Sequence, residues 1–307
     1  MVRVGAFCQV CHSPWWIGTH CAGLKPDFRT IAIRRGCVAS AIVDKRRRLS
    51  AWLRGDGIEI GALHVPLGIH RTARVRYVDR LTADEQRRQY PELADVNLAP
   101  VDVIGSAEDL SAFDDSSLDF VIANHLLEHL EDPIAALLEF ERVLQPGGMV
   151  YLGLPDQRRT FDSDRELTSV DHLLRDHEEG AVTSRRDHYV DWARHVAHVQ
   201  PGELDGYVES YMSDAYSIHF HCWQPDTFLD FFVAVREKFG FDFELLAFAP
   251  PEKEDDVEFI VILAKGRNDG VRLPPGPPPS RLRDSVLHSR LGPPLRALRR
   301  ATKITRK

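Results

Sequence analysis

Two acidic residues at the ends of apolar runs carry the first chemical signal in this sequence. Glu59 lies in the run 57–61, and Asp79 follows the run 74–78. They are 79 − 59 = 20 residues apart, close to the ~20 that separate a nucleotide-binding turn from the carboxylate that binds a ribose. Thr82 and Glu85 already supply a capping box for the next helix, which leaves Asp79 for another role. One carboxylate accepts from two vicinal hydroxyls, so we favour ribose binding over a surface turn.

Histidines supply the second signal, because imidazole exchanges protons near neutral pH. His125 follows an apolar run and Asn124, and His219 and His221 alternate with other residues in the strand-like segment 219–223. Each could take a proton from a hydroxyl at the rim of a cleft, and packing is the competing explanation for each. Five more histidines are scattered without an HExxH pair, so no metal site is predicted: His172, His177, His188, His195 and His198.

The elements that must position these residues are clearest in residues 117–155. An apolar run ends at Asn124, and a helix follows in which Asp132 caps and Pro133 takes the first turn. A stop at Pro146 precedes a second apolar run at 149–154. Two buried strands joined by a helix predict a parallel, doubly wound sheet. Further strands are predicted at 74–78 and 98–103, with an antiparallel closing pair at 241–248 and 257–264. Helices are predicted at 168–179, ended by Gly180, and after 224, ended by Gly240.

Three pieces of this stretch, in this order, resemble class I S-adenosylmethionine (SAM) dependent methyltransferases of the type 11 branch that acts on small molecules or glycans. They are an acidic-serine run at 114–119, the LEHLEDP run at 127–133, and the RVLQPGG run at 142–148. The resemblance covers about residues 55–265 and implies a Rossmann-like α/β sheet, mostly parallel with an antiparallel last strand. It also implies S-adenosyl-L-methionine as the cofactor.

The first strand of the resembled family ends in acidic-x-G-x-G-x-G, where glycines let the backbone approach the ligand. Glu59 and Gly61 match, but His64 and Val65 stand where further glycines are expected. Residues 62–74 show no helical period, so the usual first helix is expected to be shortened or replaced by a loop. The methionine end of SAM would then be held by side chains and loop amides, with His64 a candidate.

The resemblance also implies an adenine site after the third strand. The family places an acidic residue there, and Ser106 occupies that position in the matching run 106–110. Asp102, four residues earlier, is the alternative, and Ala107 supplies a backbone amide in either register. Asn124 is expected beside the sulfonium. The Glu128 and His129 pair is expected to pack and cap the crossover helix.

The chain divides into three parts by composition. Residues 1–52 form an arm that holds four of the five cysteines, 53–266 form the methyltransferase domain, and 267–307 form a proline-rich linker and basic tail that is predicted to be disordered. Residues 156–222 are predicted to be a helical insertion over the active-site edge, forming a lid. The tail could contact an anionic membrane or a protein partner weakly as a short amphipathic helix.

Cysteines in the arm allow three interpretations. The CQVCH run at 8–12 spells a haem-attachment pattern, and Cys8, Cys11 and Cys21 with His20 or Cys37 have zinc-ligand chemistry. A loosely ordered arm with reduced thiols is favoured, because no export signal is seen and no second close cysteine pair follows.

Composition excludes several classes of function. A net charge of −7 argues against broad nucleic-acid binding. No run of eighteen apolar residues is present, so a cytoplasmic protein is expected. We therefore predict a SAM-dependent enzyme that methylates a hydroxyl of a sugar or other small metabolite. A degenerate, non-catalytic interaction module is the alternative, and a dehydrogenase is disfavoured because G-x-G-x-x-G is absent.

Overall fold

The computed structural model describes residues 45–90 and 93–266. The expectations for the cysteines of the arm and for the basic tail lie outside these residues. The strands are β1 Gly55–Ile60, β2 Ala73–Asp79, β3 Val103–Ile104, β4 Leu118–Asn124, β5 Leu144–Pro155, β6 Phe243–Ala249 and β7 Glu258–Lys265. The helices are α1 (45–50), α2 Ala83–Gln89, α3 Pro133–Val143, α4 Val170–Glu179, α5 Arg185–His195, α6 Leu204–Ser213 and α7 Pro225–Phe239.

The seven strands form one sheet in the order β3-β2-β1-β4-β5-β7-β6. The first five strands in that order pair in parallel, and β7 pairs antiparallel with both β5 and β6. This confirms the predicted α/β fold with antiparallel closing strands. The order reverses between β1 and β4, and the carboxyl ends of strands at such a point are where open α/β sheets bind ligands.

The third strand is much shorter than predicted, since only Val103 and Ile104 pair with β2. Upstream, Asp102 replaces part of the ladder: its backbone N–H donates to Tyr77 O, and its Oδ2 accepts from Tyr77 N. Pro100 has no N–H to donate. The expected strand at 98–103 is therefore wrong except for its last residue.

The crossover helix α3 follows the sequence prediction closely. Asp132 Oδ1 accepts from the N–H groups of Ile134 and Ala135, and Pro133 takes the first turn. The helix ends at Val143, and β5 begins at the next residue and runs on through Pro146. Together α3 and α7 bury one face of the sheet in the larger apolar core.

No helix joins β1 to β2, which confirms the loop expected there. The opposite face of the sheet is instead covered by apolar residues of α1 and of this loop. Leu49, Leu53 and Leu67 pack there against Phe120 and Tyr151. Two salt bridges add to that contact, from Lys45 to Asp256 and from Arg46 to Glu258.

The insertion after β5 has a core of its own. Helix α4 begins after the Ser169 cap and ends at Gly180, as predicted. Tyr189 and Trp192 of α5 are buried against Val208 of α6, a helix that the sequence pattern did not predict. None of the helices in the described ranges combines the length and the apolar character needed to cross a membrane.

Residues 219–223 do not join the sheet, so the expected strand there is wrong. The segment is extended, and the N–H groups of Phe220 and His221 both donate to the backbone oxygen of Glu128. These two hydrogen bonds hold the segment against the turn that follows β4. Helix α7 then begins at Pro225 and ends at Gly240, as predicted.

Candidate functional site

A cavity of about 460 Å³ opens at the carboxyl ends of β1, β2, β3 and β4. The insertion forms its other wall, through α5 and the residues after α6. Twenty-five residues line it, and those used below are Gly61, Asp79, Ser106, Ala107, Glu108, His125, His129, Glu131, Asp132, Arg185, Tyr189, Tyr216 and Ser217.

Gly61 forms the floor of the cavity where β1 ends. Its φ of +68° lies in the left-handed region, and a Cβ built on it would meet no atom closer than 3.4 Å. The glycine is therefore needed for its backbone conformation, and its lack of a side chain keeps the cavity floor open.

Glu59 holds the loop that replaces the first helix. Its two carboxylate oxygens accept from the Leu67 N–H at 2.9 and 3.1 Å, and the side chain is buried beside Asn124. Burial raises the Glu59 pKa to about 7, against the opposing effect of the Leu67 hydrogen bond. Glu59 does not line the large cavity. It lies beneath the loop that joins β1 to β2, out of reach of a ligand in the cavity.

His64 and Val65 line a separate space of about 20 Å³ with Glu59 and Asn124. Neither residue is among those that line the large cavity. The departures from the glycine pattern therefore do not fill the large cavity.

Asp79 stands at the end of β2 and lines the cavity. Its Oδ1 accepts from the Leu81 N–H at 3.0 Å, and burial raises its pKa. A carboxylate has about four acceptor sites, so Asp79 retains capacity for hydroxyl donors in the cavity.

The two adenine candidates fall in different places. Ser106 and Ala107 line the cavity, whereas Asp102 is bound to Tyr77 at the sheet edge and does not. Glu108, which the sequence analysis left out, also lines the cavity, and its Oε1 accepts from the Asp132 N–H at 3.1 Å. Its place in the same run as Ser106 was the signal that could have found it.

His125 follows β4 with a φ of +47° and is almost completely buried. Its Nε2 lies 2.9 Å from Glu258 Oε2, and its Nδ1 lies 3.4 Å from Glu128 Oε1. Although burial alone lowers it, hydrogen bonds to the two carboxylates raise the His125 pKa to about 9. The imidazole is therefore a cation at neutral pH.

His129 does not cap the crossover helix, as was expected of it, because Asp132 does. Its Nδ1 donates to Ile218 O at 2.9 Å, so its lone pair is on Nε2. That Nε2 is buried without a hydrogen-bond partner among the described residues, and the residue lines the cavity. Burial and the neighbouring His219 lower the His129 pKa to about 4, which keeps the ring neutral.

His219 stands behind His129, with their ring centroids 4.6 Å apart. Its Nδ1 lies 2.6 Å from Asp162 Oδ2, and Asp162 also pairs with Arg165. Candidate metal-ligand atoms of Glu128, His129 and His219 lie within 4.8 Å of one another. The structure therefore gathers two histidines and a buried carboxylate next to the cavity.

His221 points away from the cavity and joins a second cluster. Its Nε2 donates to Glu131 O at 3.3 Å, and burial lowers its pKa well below the ordinary value. Candidate ligand atoms of His172, His188 and His221 lie within 4.8 Å of one another. From the sequence, His172 and His188 were interpreted as scattered and His221 as a candidate proton acceptor, because three separate parts of the chain carry them.

Comparison with known proteins identifies the region around the cavity. Residues 59–152 match the family model described as a methyltransferase domain. Over 104 residues the chain is 35% identical to an uncharacterized 37.1 kDa protein in transposon TN4556 of Streptomyces fradiae. That match spans 33% of this chain and 28% of the other.

Solved structures similar to this one include two SAM-dependent methyltransferases. The protein from Thermotoga maritima is 17% identical, with 74% of this chain and 92% of that chain covered and a TM-score of 0.37. The protein from Methanosarcina mazei is 16% identical, with 74% and 98% covered and a TM-score of 0.37.

The matched methyltransferase domain implies S-adenosyl-L-methionine as the cofactor, and the residues at the cavity fit that molecule. The volume lies within the ~300–1,000 Å³ of small-molecule sites. Four carboxylates line the space against two guanidinium groups and the His125 imidazolium, an excess of negative charge that suits a sulfonium and an ammonium group. These groups are Asp79, Glu108, Glu131, Asp132, Arg80 and Arg185.

Proposed function

We propose that this protein is an enzyme that transfers a methyl group from SAM to a hydroxyl group of a small molecule or glycan. One observation carries the proposal: a single cavity is lined both by the strand ends of the matched domain and by the helical insertion. A cofactor against the strand ends and an acceptor beneath the insertion would then share one space, screened from bulk water.

Residues at the ends of the strands would hold the cofactor. Asp79 would accept from the ribose hydroxyls, and Ser106 and Ala107 would contact the adenine. Gly61 would admit the methionine part close to the backbone. The structure favours Ser106 over Asp102 for this role, because Ser106 alone of the two lines the cavity.

The acceptor would lie between His129 and the insertion. Arg185 is held there by Glu131, with Nε 2.8 Å from Oε1. Tyr189 donates from its hydroxyl to Tyr216 O at 2.7 Å. Polar groups on both sides suit a hydroxylated molecule better than an apolar one, which supports a sugar-like acceptor.

Transfer to a hydroxyl requires a proton acceptor, since an alcohol is a weak nucleophile, while bound SAM supplies the electrophilic methyl group. The Nε2 lone pair of His129 is suited to that role, because the Ile218 carbonyl fixes the tautomer. Glu128 lies beside it and would stabilise the imidazolium that forms. His125 is already a cation, so its suitable role is to hold the end of β4, while His221 faces away from the cavity.

Calorimetry of the full chain with SAM, and with NAD as the control ligand, tests cofactor binding. We expect heat with SAM alone. Tritiated SAM with fractionated cell extract then tests transfer, with label expected in small, hydroxyl-rich products. Binding without transfer to any fraction would favour a non-catalytic binding module, and the absence of binding would contradict the proposal.

A further inference from the structure

Four side chains outside the cavity surround one point inside the insertion. His172 and Asp176 lie one helical turn apart on α4, His188 lies on α5, and His221 lies in the extended segment before α7. None of the four lines the cavity described above. Three separate parts of the insertion therefore meet at this cluster.

The distances within this cluster are those between ligands of one small cation. His172 Nε2 lies 3.1 Å from His188 Nε2, and Asp176 Oδ2 lies 3.0 Å and 3.5 Å from these two atoms. Ligands placed 2.0–2.1 Å from a tetrahedral zinc ion lie about 3.3 Å from one another. A nitrogen of His221 lies within 4.8 Å of a nitrogen of each of the other two imidazoles, in a group that does not include Asp176.

The cluster is unsatisfied without a cation. Asp176 is buried, and neither of its carboxylate oxygens receives a hydrogen bond of good geometry among the described residues. Among the described residues, the Asp176 carboxylate contacts His172 and His188. A buried carboxylate without a compensating charge is strongly unfavourable, and a divalent cation removes that cost.

His221 carries a matching signal. Its Nε2 donates to Glu131 O, so its lone pair is on Nδ1, which is buried without a hydrogen-bond partner in the described part of the chain. A backbone carbonyl that holds the second nitrogen of a histidine in this way is the usual support of a metal ligand. On the exposed side of the cluster, Arg175 Nη2 lies 3.3 Å from His172 Nδ1. That contact must break when His172 binds a cation through Nε2.

We propose that His172, Asp176, His188 and His221 bind one divalent cation of the zinc class, with a structural role in the insertion. Three imidazoles and one carboxylate, of which His172 alone is partly exposed, suit Zn²⁺, and four protein ligands leave no open position for a substrate. The ion joins α4, α5 and the segment before α7, and it therefore fixes Arg185 and Tyr189 of α5 at the cavity wall.

Metal analysis of the full chain tests this directly. The chain is purified, dialysed against Zn²⁺ and then against buffer, and its zinc is counted by mass spectrometry. All variants are made in a background with serine at positions 8, 11, 21 and 37, because thiolates of the arm would also bind zinc. We expect one zinc per chain in this background, and a lower unfolding temperature after chelation.

Variants identify the ligands. His188→Ala and Asp176→Asn are expected to lower the zinc content by one ion per chain and to weaken zinc binding at least ~100-fold. His172→Gln, at a partly exposed position that tolerates change, guards against simple misfolding and should weaken it too. The control His195→Ala changes an exposed histidine on α5, the helix that carries His188, and should retain the metal.

The Glu128, His129 and His219 group must be separated from this one. When His129→Gln is added to both the parent and His188→Ala, the two proteins should still differ in zinc content by the same amount. The proposal is wrong if the parent keeps no zinc after dialysis, or if His188→Ala and Asp176→Asn keep as much as the parent. None of these measurements depends on methyl transfer.

Discussion

His125 Nε2 and Glu258 Oε2 lie 2.9 Å apart and join the end of β4 to the start of β7. Arg46 of α1 binds the same Glu258 carboxylate through two hydrogen bonds, of 3.0 and 2.6 Å. One buried carboxylate thus connects the strand that borders the cavity, the antiparallel end of the sheet and the helix before β1. Its pKa is held well below the ordinary value by His125 and Arg46.

The first prediction concerns stability at alkaline pH. The His125 pKa is raised from 6.5 to about 9 in the folded protein, so the folded state keeps a proton that the unfolded state has lost. The stabilisation is complete below pH 6.5 and is lost as the pH rises through 9. Thermal unfolding followed by circular dichroism should show this fall.

In His125→Gln, the unfolding temperature should fall less steeply with rising pH over that alkaline range. His195→Gln, at an exposed site, should keep the slope of the parent. Glu59, whose pKa is raised to about 7, titrates at the lower end of this range, but both proteins contain it and its contribution cancels in the comparison. Equal slopes in parent and His125→Gln would contradict the assignment of a buried His125 cation.

The second prediction concerns the ribose. Asp79→Asn should weaken SAM binding about 100-fold, because hydrogen bonds to a charged group contribute about 1.5–3 kcal/mol each. Asp102→Asn is the matched control, since that carboxylate lies at the sheet edge, and it should bind SAM as the parent does. Calorimetry measures both, and equal affinities in the two variants would remove Asp79 from the site.

The third prediction separates strain from binding at Gly61. Gly61→Ala and Gly240→Ala both place a Cβ on a residue of positive φ, +68° and +73°, at a cost of about 1–2 kcal/mol each. Gly61 lines the cavity, and Gly240 ends α7 away from it. Both variants should lose similar stability in chemical unfolding, while Gly61→Ala alone should also lose SAM affinity.

The fourth prediction concerns the proton acceptor. His129→Gln should lower kcat by about 10²–10⁴-fold and leave the SAM dissociation constant unchanged. His195→Gln, at an exposed position of α5 that does not line the cavity, should change neither. If His129→Gln keeps the kcat of the parent with a hydroxyl acceptor, His129 is not the proton acceptor.

The parallel core could be predicted from sequence, because apolar runs and helix caps are local signals. Asp132 and Pro133 mark the start of α3, and Gly240 marks the end of α7. Helix α6 was missed, although its sequence repeats an apolar face that packs in the core of the insertion: Leu204, Tyr207, Val208, Tyr211 and Met212. The third strand was overestimated, because a side-chain contact of Asp102 replaces strand pairing there.

The candidate site could be predicted only in part. Asp79 and Ser106 follow strands, and strand ends meet at one edge, so their place at the cavity follows from topology. His129 was undervalued, because its partner Ile218 is 89 residues away in sequence. For the second cluster, the sequence shows only the i, i+4 spacing of His172 and Asp176. His188 and His221 join them through tertiary packing, which local patterns do not indicate.

The loop between β1 and β2 leaves one face of the sheet without a crossover helix, and this limits how the chain can be shortened. Leu49 and Leu53 lie on that face, with Lys45 fully buried against Asp256. A fragment trimmed to begin at the first strand would expose the apolar face of the sheet, and it would remove Lys45 from Asp256 and Arg46 from Glu258. Such a fragment is expected to aggregate during expression, so any shortened version should begin upstream of residue 45.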